Sequence, residues 1–559
     1  MSTSIHATEL TYFMLRERLG FWLTLGVAAV VSYVILFGLL APATILHHSL
    51  GERLAFQGLQ TLRVLREGSG LMLAPESFRN PFASQALLVT FLLRWVFVFL
   101  AAVPPALQMR DWARMTTARR RHARTISGQR YYEHADAVRA LRQLFSDDIE
   151  TSGSDLTLVP DVNLPRNRET RTGLAVGLPG GGKSTLLNHV GLQALARGDK
   201  IVLHDTSGDV VARWPGPVWL LNPLNPLSHA WDIAGDCRDE NDAREVMAHL
   251  ISAEGRGEEH WPRGAQEIGV GVTRTLQVEH GTSWGFAELR DVGTLSPREL
   301  HEFAVRYHPP ARPFLALDGD EFTKTANSYV TTFSSGLNPV VRPLAEGWGD
   351  LAPAARLSLR DWLADGSAPP STLILQRDAD KPKISEAWMP IVLGTIAGFC
   401  ASNKLPESTS RRIWMILDEF AQMGLVSRFA QLAEVGRKKG LCCLLAVQNY
   451  SQLADIYGSE KANNIIDLAE FKFIFYLEAG PTSEMICSQL IKPSRMTSMP
   501  KTPKGATPAQ EAVDAIAVVD AAEIASLAQG SGIGVEGIML YRGEALRLLW
   551  TFPQMPIQR

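Results

Sequence analysis

"GLPGGGKST", Gly177 to Thr185, is the stretch on which the reading of this chain turns. Gly177–Ser184 fits GxxxxGK[ST] in full, the apolar GLAVG before it reads as a strand, and STLLNHVGLQALA after it reads as a helix. In that setting Gly177, Gly180, Gly181 and Gly182 let successive backbone N–H groups point inward at phosphate, and the helix N-terminus adds its positive end. Lys183 is expected to reach the β- and γ-phosphates of ATP, the Ser184 hydroxyl to coordinate Mg2+, and Thr185 to complete the cradle where the helix begins.

The partner motif is IWMILDEF, Ile413–Phe420. An apolar run bounded by Arg412 and then by two acids describes a buried parallel strand that delivers carboxylates at its C-terminal end. Asp418 is expected in the magnesium shell and Glu419 beside the attacking water, the role a hydrolytic motor needs. The next strand, LCCLLAVQ, closes on Gln448, which is either a sensor of the γ-phosphate or a capping amide. Before it, GRKKG ends a helix, and Arg437 is either a finger stabilising phosphate charge in a neighbouring subunit or a cation satisfying the helix dipole.

Lys183 and Asp418 lie 235 residues apart, more than a compact nucleotide core requires. After the strands KIVLHD (Lys200–Asp205) and VWLLNP (Val218–Pro223) the pattern turns helical from about Asp239 to about Pro343, its last helix read as far as Leu337. This predicts an all-α domain at 239–343 inserted between 110–238 and 344–559, with the core resuming at STLILQR and closing with FKFIFYLE and strands around 532–540 and 545–551. Lys492–Lys504, with four basic residues and three prolines, reads as an exposed loop, either a solvated linker or a DNA-backbone contact.

Upstream, Phe21–Leu46 is uncharged and Pro81–Met109 is interrupted by Arg94 alone, which predicts spans at about 21–46 and 81–105 and an anchor over 1–109. Arg94 either faces a partner helix or lumen, or snorkels to an interface. Seven arginines between 110 and 130, with Arg16 and Arg18, outweigh four in the 47–80 loop, so both termini are expected in the cytoplasm and the loop in the periplasm. The arginine cluster suits anionic lipid or a DNA collar. A net charge of −3 argues against a general basic nucleic-acid coat, and five cysteines without CxxC spacing suit a reducing compartment and point away from a metal site.

The layout resembles the coupling proteins of conjugative type IV secretion over most of the chain. The resemblance is carried by GLPGGGKST, RGDKIVLHDTSGD (197–209), LLNPLNPLSHAWD (220–232), LSLRDWL (357–363), WMILDEFAQMG (414–424) and GRKKGLCCLLAVQNYSQLADIYG (436–458), several of which a generic ATPase does not need. It implies an α/β, RecA-like P-loop nucleotide-binding domain with an inserted all-α domain, preceded by two transmembrane helices, and a homo-hexamer at the cytoplasmic mouth of the secretion channel. In such proteins ATP hydrolysis is thought to drive DNA, as a single strand or possibly duplex, with its attached relaxase into inner-membrane channel components.

By the same resemblance, Arg437 stands where the family has a trans-acting arginine and Gln448 where it has a coupling glutamine. Arg171 matches a further arginine proposed to reach nucleotide. A histidine that some relatives carry after that arginine is Thr172 here. The long acidic tail of some relatives is not expected after Arg559, so relaxosome docking is expected on the all-α domain. Alternatives are an ATP-dependent receptor for protein substrates and a chromosome-segregation DNA translocase. An ATP-binding-cassette transporter is disfavoured because no LSGGQ-type signature occurs.

Overall fold

The structure, a computed structural model, describes scattered residues between 24 and 107 and most of 124–553, leaving out 128, 252–259, 365–369, 427–428, 492–493, 498–512, 517, 528–529 and 531. The chain divides into two units, Met1–Ile126 with Arg495–Asp514, and Ser127–Ser494 with Ala515–Arg559. The expected spans, Arg94 and the arginine cluster after Arg110 fall largely outside the described residues. Among the described residues one helix, Pro382–Ala401, is long and apolar enough to cross a membrane, and 61% of its apolar window is buried inside the second unit. That helix lies in neither expected span. Of the stretch read as a loop at Lys492–Lys504, Ser494–Thr497 is a strand.

The second unit is built on a ten-stranded sheet. Its strands are β1 (Arg130–Glu133), β2 (Thr172–Val176), β3 (Lys200–Asp205), β4 (Val218–Leu221), β5 (Thr372–Gln376), β6 (Ile413–Leu417), β7 (Leu441–Val447), β8 (Ala469–Ile474), β9 (Gly534–Tyr541) and β10 (Glu544–Thr551). They lie in the order β1-β10-β9-β8-β2-β7-β6-β3-β5-β4. β9 runs against its neighbours and every other pairing is parallel, so the sheet is mixed.

Every residue of β2, β3, β6 and β7 is buried, which explains why β6 and β7 read as unbroken apolar runs rather than as alternations. Successive side chains still separate to opposite faces: Trp414 and Ile416 enter one core, Ile413, Met415 and Leu417 the other. The first face is covered by helices α1 (His134–Ser152) and α2 (Lys183–Arg197).

The opposite face carries the inserted helices α3 (Glu240–Leu250), α4 (His260–His280), α5 (Phe286–Val292), α6 (Pro297–Arg306) and α7 (Lys324–Trp348), with α8 (Pro382–Ala401). α7 passes through Pro339 and Pro343, so position 343 falls inside a helix. Its buried row Phe333, Leu337, Val340, Val341, Leu344 and Trp348 offsets the backbone bonds the prolines lose. Trp348 meets Trp388 of α8 edge to face at 5.6 Å. The insertion thus shares one apolar core with the sheet.

At the base of the insertion Ala230–Trp231 pairs in parallel with Arg356–Leu357. Asp236, fully buried, accepts hydrogen bonds from Trp231 Nε1 (2.7 Å), Ser358 Oγ (2.8 Å), Leu359 N (3.0 Å) and Arg360 N (2.9 Å). One carboxylate ties the outgoing and returning chain together.

Candidate functional site

The loop Gly177–Gly182 joins β2 to α2, and the turn depends on glycine at two points, Gly180 at φ +74° and Gly182 at φ +113°. A Cβ on Gly182 would stand 2.8 Å from Val535 Cβ of β9. The Lys183 side chain curls inside the loop, its Nζ donating to the Gly177 carbonyl at 2.6 Å and the Leu178 carbonyl at 3.3 Å. Burial lowers the Lys183 pKa, opposed by the charges of Glu419 and Asp418. Thr185 lies in the first turn of α2, its N–H donating to the Gly182 carbonyl at 3.1 Å.

Opposite the loop, β6 ends at Leu417 and delivers Asp418 and Glu419. Ser184 Oγ donates to Asp418 Oδ2 at 3.2 Å, spanning 234 residues of sequence. Glu419 is buried and adopts the left-handed region, φ +51° and ψ +56°, unusual for a residue with a Cβ. Its Oε1 accepts from the Gln448 N–H, at the end of β7, at 3.3 Å. Burial raises the pKa of both acids, with Lys183 opposing.

The structure thus gathers Gly177, Gly180, Gly181, Gly182, Lys183, Ser184, Thr185, Asp418, Glu419 and Gln448 at the C-terminal ends of β2, β6 and β7, where open α/β sheets carry their ligand sites. Arg171 and Arg437 are not in this group. Arg171 precedes β2 and pairs with Glu470 Oε2 at 3.1 Å, and Arg437 sits in the turn before β7. Both arginines therefore stand at the opposite edge of the sheet, close enough for the Arg437 charge to help burial lower the Arg171 pKa. β2 alone puts Arg171 roughly 16 Å from Gly177, too far for its own side chain to reach the loop.

Sequence reasoning passed over His204, the next-to-last residue of β3. Its ring is fully buried, and Nδ1 donates to the Asp418 carbonyl. Burial pushes its pKa down to about 4, so the ring is neutral. The visible signal was an imidazole in an otherwise apolar strand core, KIVLHD. It also passed over Glu470, which pairs with Arg168 at 3.0 Å as well as with Arg171.

The residues present suit a nucleotide with Mg2+. The N–H groups of Gly177, Leu178, Gly181 and Thr185 donate to protein carbonyls, so a phosphate would meet the loop around Gly180, Gly182 and the start of α2, and Ser184 and Asp418 form the hydroxyl–carboxylate pair that a cation bound also by phosphates and water requires. Among the described residues no cluster of three or more His, Cys, Asp or Glu side chains offers a metal cage.

A mixed α/β sheet with this loop and these acids at its C-terminal edge defines a P-loop nucleotide-binding fold. Comparison with known families makes the class specific: the type IV secretion-system coupling protein DNA-binding domain matches residues 156–523, and the chain belongs to that family of conjugative coupling proteins. Coupling protein TraD of Escherichia coli (strain K12) is 24% identical over 375 residues, covering 65% of this chain and 50% of TraD. The chain thus spans about half the length of that curated relative. Among solved structures, the conjugative coupling protein TrwBΔN70 in its unbound form superposes with a TM-score of 0.63 at 21% identity, covering 78% of this chain and 95% of that one. TrwB in complex with ADP and Mg2+ superposes equally well, at 20% identity, covering 78% and 96%. These likenesses establish the TrwB-like fold.

Proposed function

We propose that the chain is the inner-membrane ATPase of a conjugative type IV secretion system, binding a DNA–relaxase substrate and driving DNA into the channel by ATP hydrolysis. The observation that carries this reading is the meeting of Lys183, Ser184, Asp418, Glu419 and Gln448 at one edge of the sheet. Lys183 leaves the loop carbonyls to bind the β- and γ-phosphates, and the incoming anion favours its charged form. Ser184 and Asp418 would hold Mg2+, which would supply positive charge against the phosphate oxygens. Glu419, its pKa raised by burial, accepts the proton of the attacking water, and Gln448 ties its carboxylate to β7.

Arg171 and Arg437 act from a neighbouring copy in a homo-hexamer, supported by their place at the far edge of the sheet from their own loop. Two spans at about 21–46 and 81–105 anchor the ATPase on the cytoplasmic side, with 47–80 in the periplasm. The division into an anchor (1–109), a RecA-like domain (110–238 and 344–559) and an all-α domain (239–343) belongs to the same reading, with the all-α part presenting the relaxosome-facing surface.

The test is ATP hydrolysis by the full-length protein in lipid nanodiscs, with and without single-stranded DNA, beside Lys183→Ala. Stimulation by DNA that vanishes in the variant is expected. A basal rate indifferent to DNA would overturn the translocase reading in favour of a receptor for protein substrates. Hydrolysis that survives Lys183→Ala would remove the site itself.

A further inference from the structure

We propose that His204 is a positioning residue for hydrolysis: its Nδ1–H holds the Asp418 carbonyl and thereby fixes the peptide that aims the Glu419 carboxylate. The inference rests on the reading of Glu419 as the base that accepts a proton from water.

β6 lies between β3 and β7 in the sheet. His204 on β3 is paired in register with Leu417, one residue before Asp418. From that side its Nδ1 donates to the Asp418 carbonyl oxygen, and from the other side the Gln448 N–H holds Glu419 Oε1 at 3.3 Å. The two acids are thus gripped from both neighbouring strands. The grip is needed because Glu419 sits at φ +51°, a conformation that persists in a residue with a Cβ only where its surroundings over-determine it.

Packing does not account for the ring. Ile201, Val202 and Leu203 fill the same strand with apolar side chains. A leucine at 204 would fill the volume without leaving a nitrogen unpaired, whereas His204 Nε2 is buried with no hydrogen-bond partner among the described residues. A ring that leaves one nitrogen orphaned is accounted for by what its other nitrogen holds. Because Nδ1 faces a carbonyl oxygen, it is the nitrogen that carries the proton.

The experiment compares His204→Asn with His204→Leu in the full-length protein, reading kcat, KM for ATP and the thermal unfolding midpoint. Asparagine keeps an N–H on its γ-carbon, where the histidine carries Nδ1, and leucine keeps volume without a donor. Positioning predicts that His204→Asn stays within about threefold of the parent kcat, while His204→Leu falls about tenfold or more with KM unchanged within about twofold. A space-filling role reverses the order: leucine stays active and asparagine loses activity and stability together. That order, or equal rates in the two variants, overturns the proposal. Should His204→Leu fail to fold, His204→Met, donor-free and adaptable to an irregular gap, takes its place with the same expected loss. Glu419→Gln, measured alongside, separates the two ideas. If it keeps the parent rate, the reading of Glu419 fails; if it abolishes hydrolysis while His204→Leu does not, the positioning inference alone fails.

Discussion

At Gly182 two constraints coincide, a left-handed φ of +113° and a Cβ position 2.8 Å from Val535 Cβ. At Gly180 only the first applies, since φ is +74° and the space around it is open. Gly180→Ala is therefore expected to weaken nucleotide binding several-fold, the strain of one left-handed alanine. Gly182→Ala should weaken it at least about a further tenfold, because β9 or the loop must also move. Titration of both with a fluorescent ADP analogue checks the order, and equal losses would contradict it. The acids make a second prediction. Burial holds Asp418 and Glu419 above the ordinary carboxylate range, so both protonate earlier than usual as pH falls. Activity that needs them ionised is present above the raised pKa and lost as pH drops through it. The acid limb of the kcat/KM profile should accordingly lie above about 4.3, the unperturbed glutamate value, and a limb at or below that value would deny the acids their role.

Among elements, the base of the insertion is governed by Asp236. Its pKa is pushed up to about 6, first by burial and against the four hydrogen bonds it accepts. The folded state therefore holds a proton that the unfolded chain has released, and stability is greatest below the unfolded value near 4 and declines as pH rises through about 6. That decline amounts to about 3 kcal/mol. Asp236→Asn removes the titration, so its unfolding free energy should gain on that of the parent between pH 4 and 6; parallel curves would contradict the assignment. Asp236→Ala leaves the Trp231, Ser358 and backbone donors unpaired, and should lower stability by about 2–4 kcal/mol at pH 5 in urea melts. None of this was legible in DIAGDC, where Asp236 looks like any turn acid. The central strands of the sheet were legible because burial on both faces writes itself as an apolar run, as in IVL of KIVLHD, IWMIL and LCCLLAV. α7 was read too short because proline is a local signal, whereas the row from Phe333 to Trp348 that carries the helix onward gains its stability from packing against α8 and the sheet. The places of the glycine loop between β2 and α2 and of the two acids after β6 were legible, since each motif has fixed residues at fixed spacing beside a strand. The His204 grip was not, because it depends on β3 lying beside β6, and strand order is a property of the folded sheet.

For the whole molecule, the separation of the arginines from the loop turns into a statement about assembly. Arg171 and Arg437 lie at the N-terminal ends of β2 and β7, and Lys183 and Glu419 beyond the C-terminal ends of β2 and β6, so one copy cannot bring both sets to one nucleotide. A closed ring with head-to-tail interfaces can, because each interface joins one edge of a subunit to the opposite edge of the next. Lys183→Ala and Arg437→Ala should each be inactive alone for different reasons, one lacking the phosphate grip and the other the incoming charge. Mixed in equal amounts before assembly, they should recover activity. An interface is intact when the Arg437→Ala subunit supplies the loop and the Lys183→Ala subunit supplies the arginine, which random assembly produces at about a quarter of interfaces. Hydrolysis near that fraction of the parent rate is expected if interfaces fire independently, and less if they must fire in turn. If Arg437 instead served its own loop, every subunit in the mixture would carry one lesion at its only site, and mixing would recover nothing.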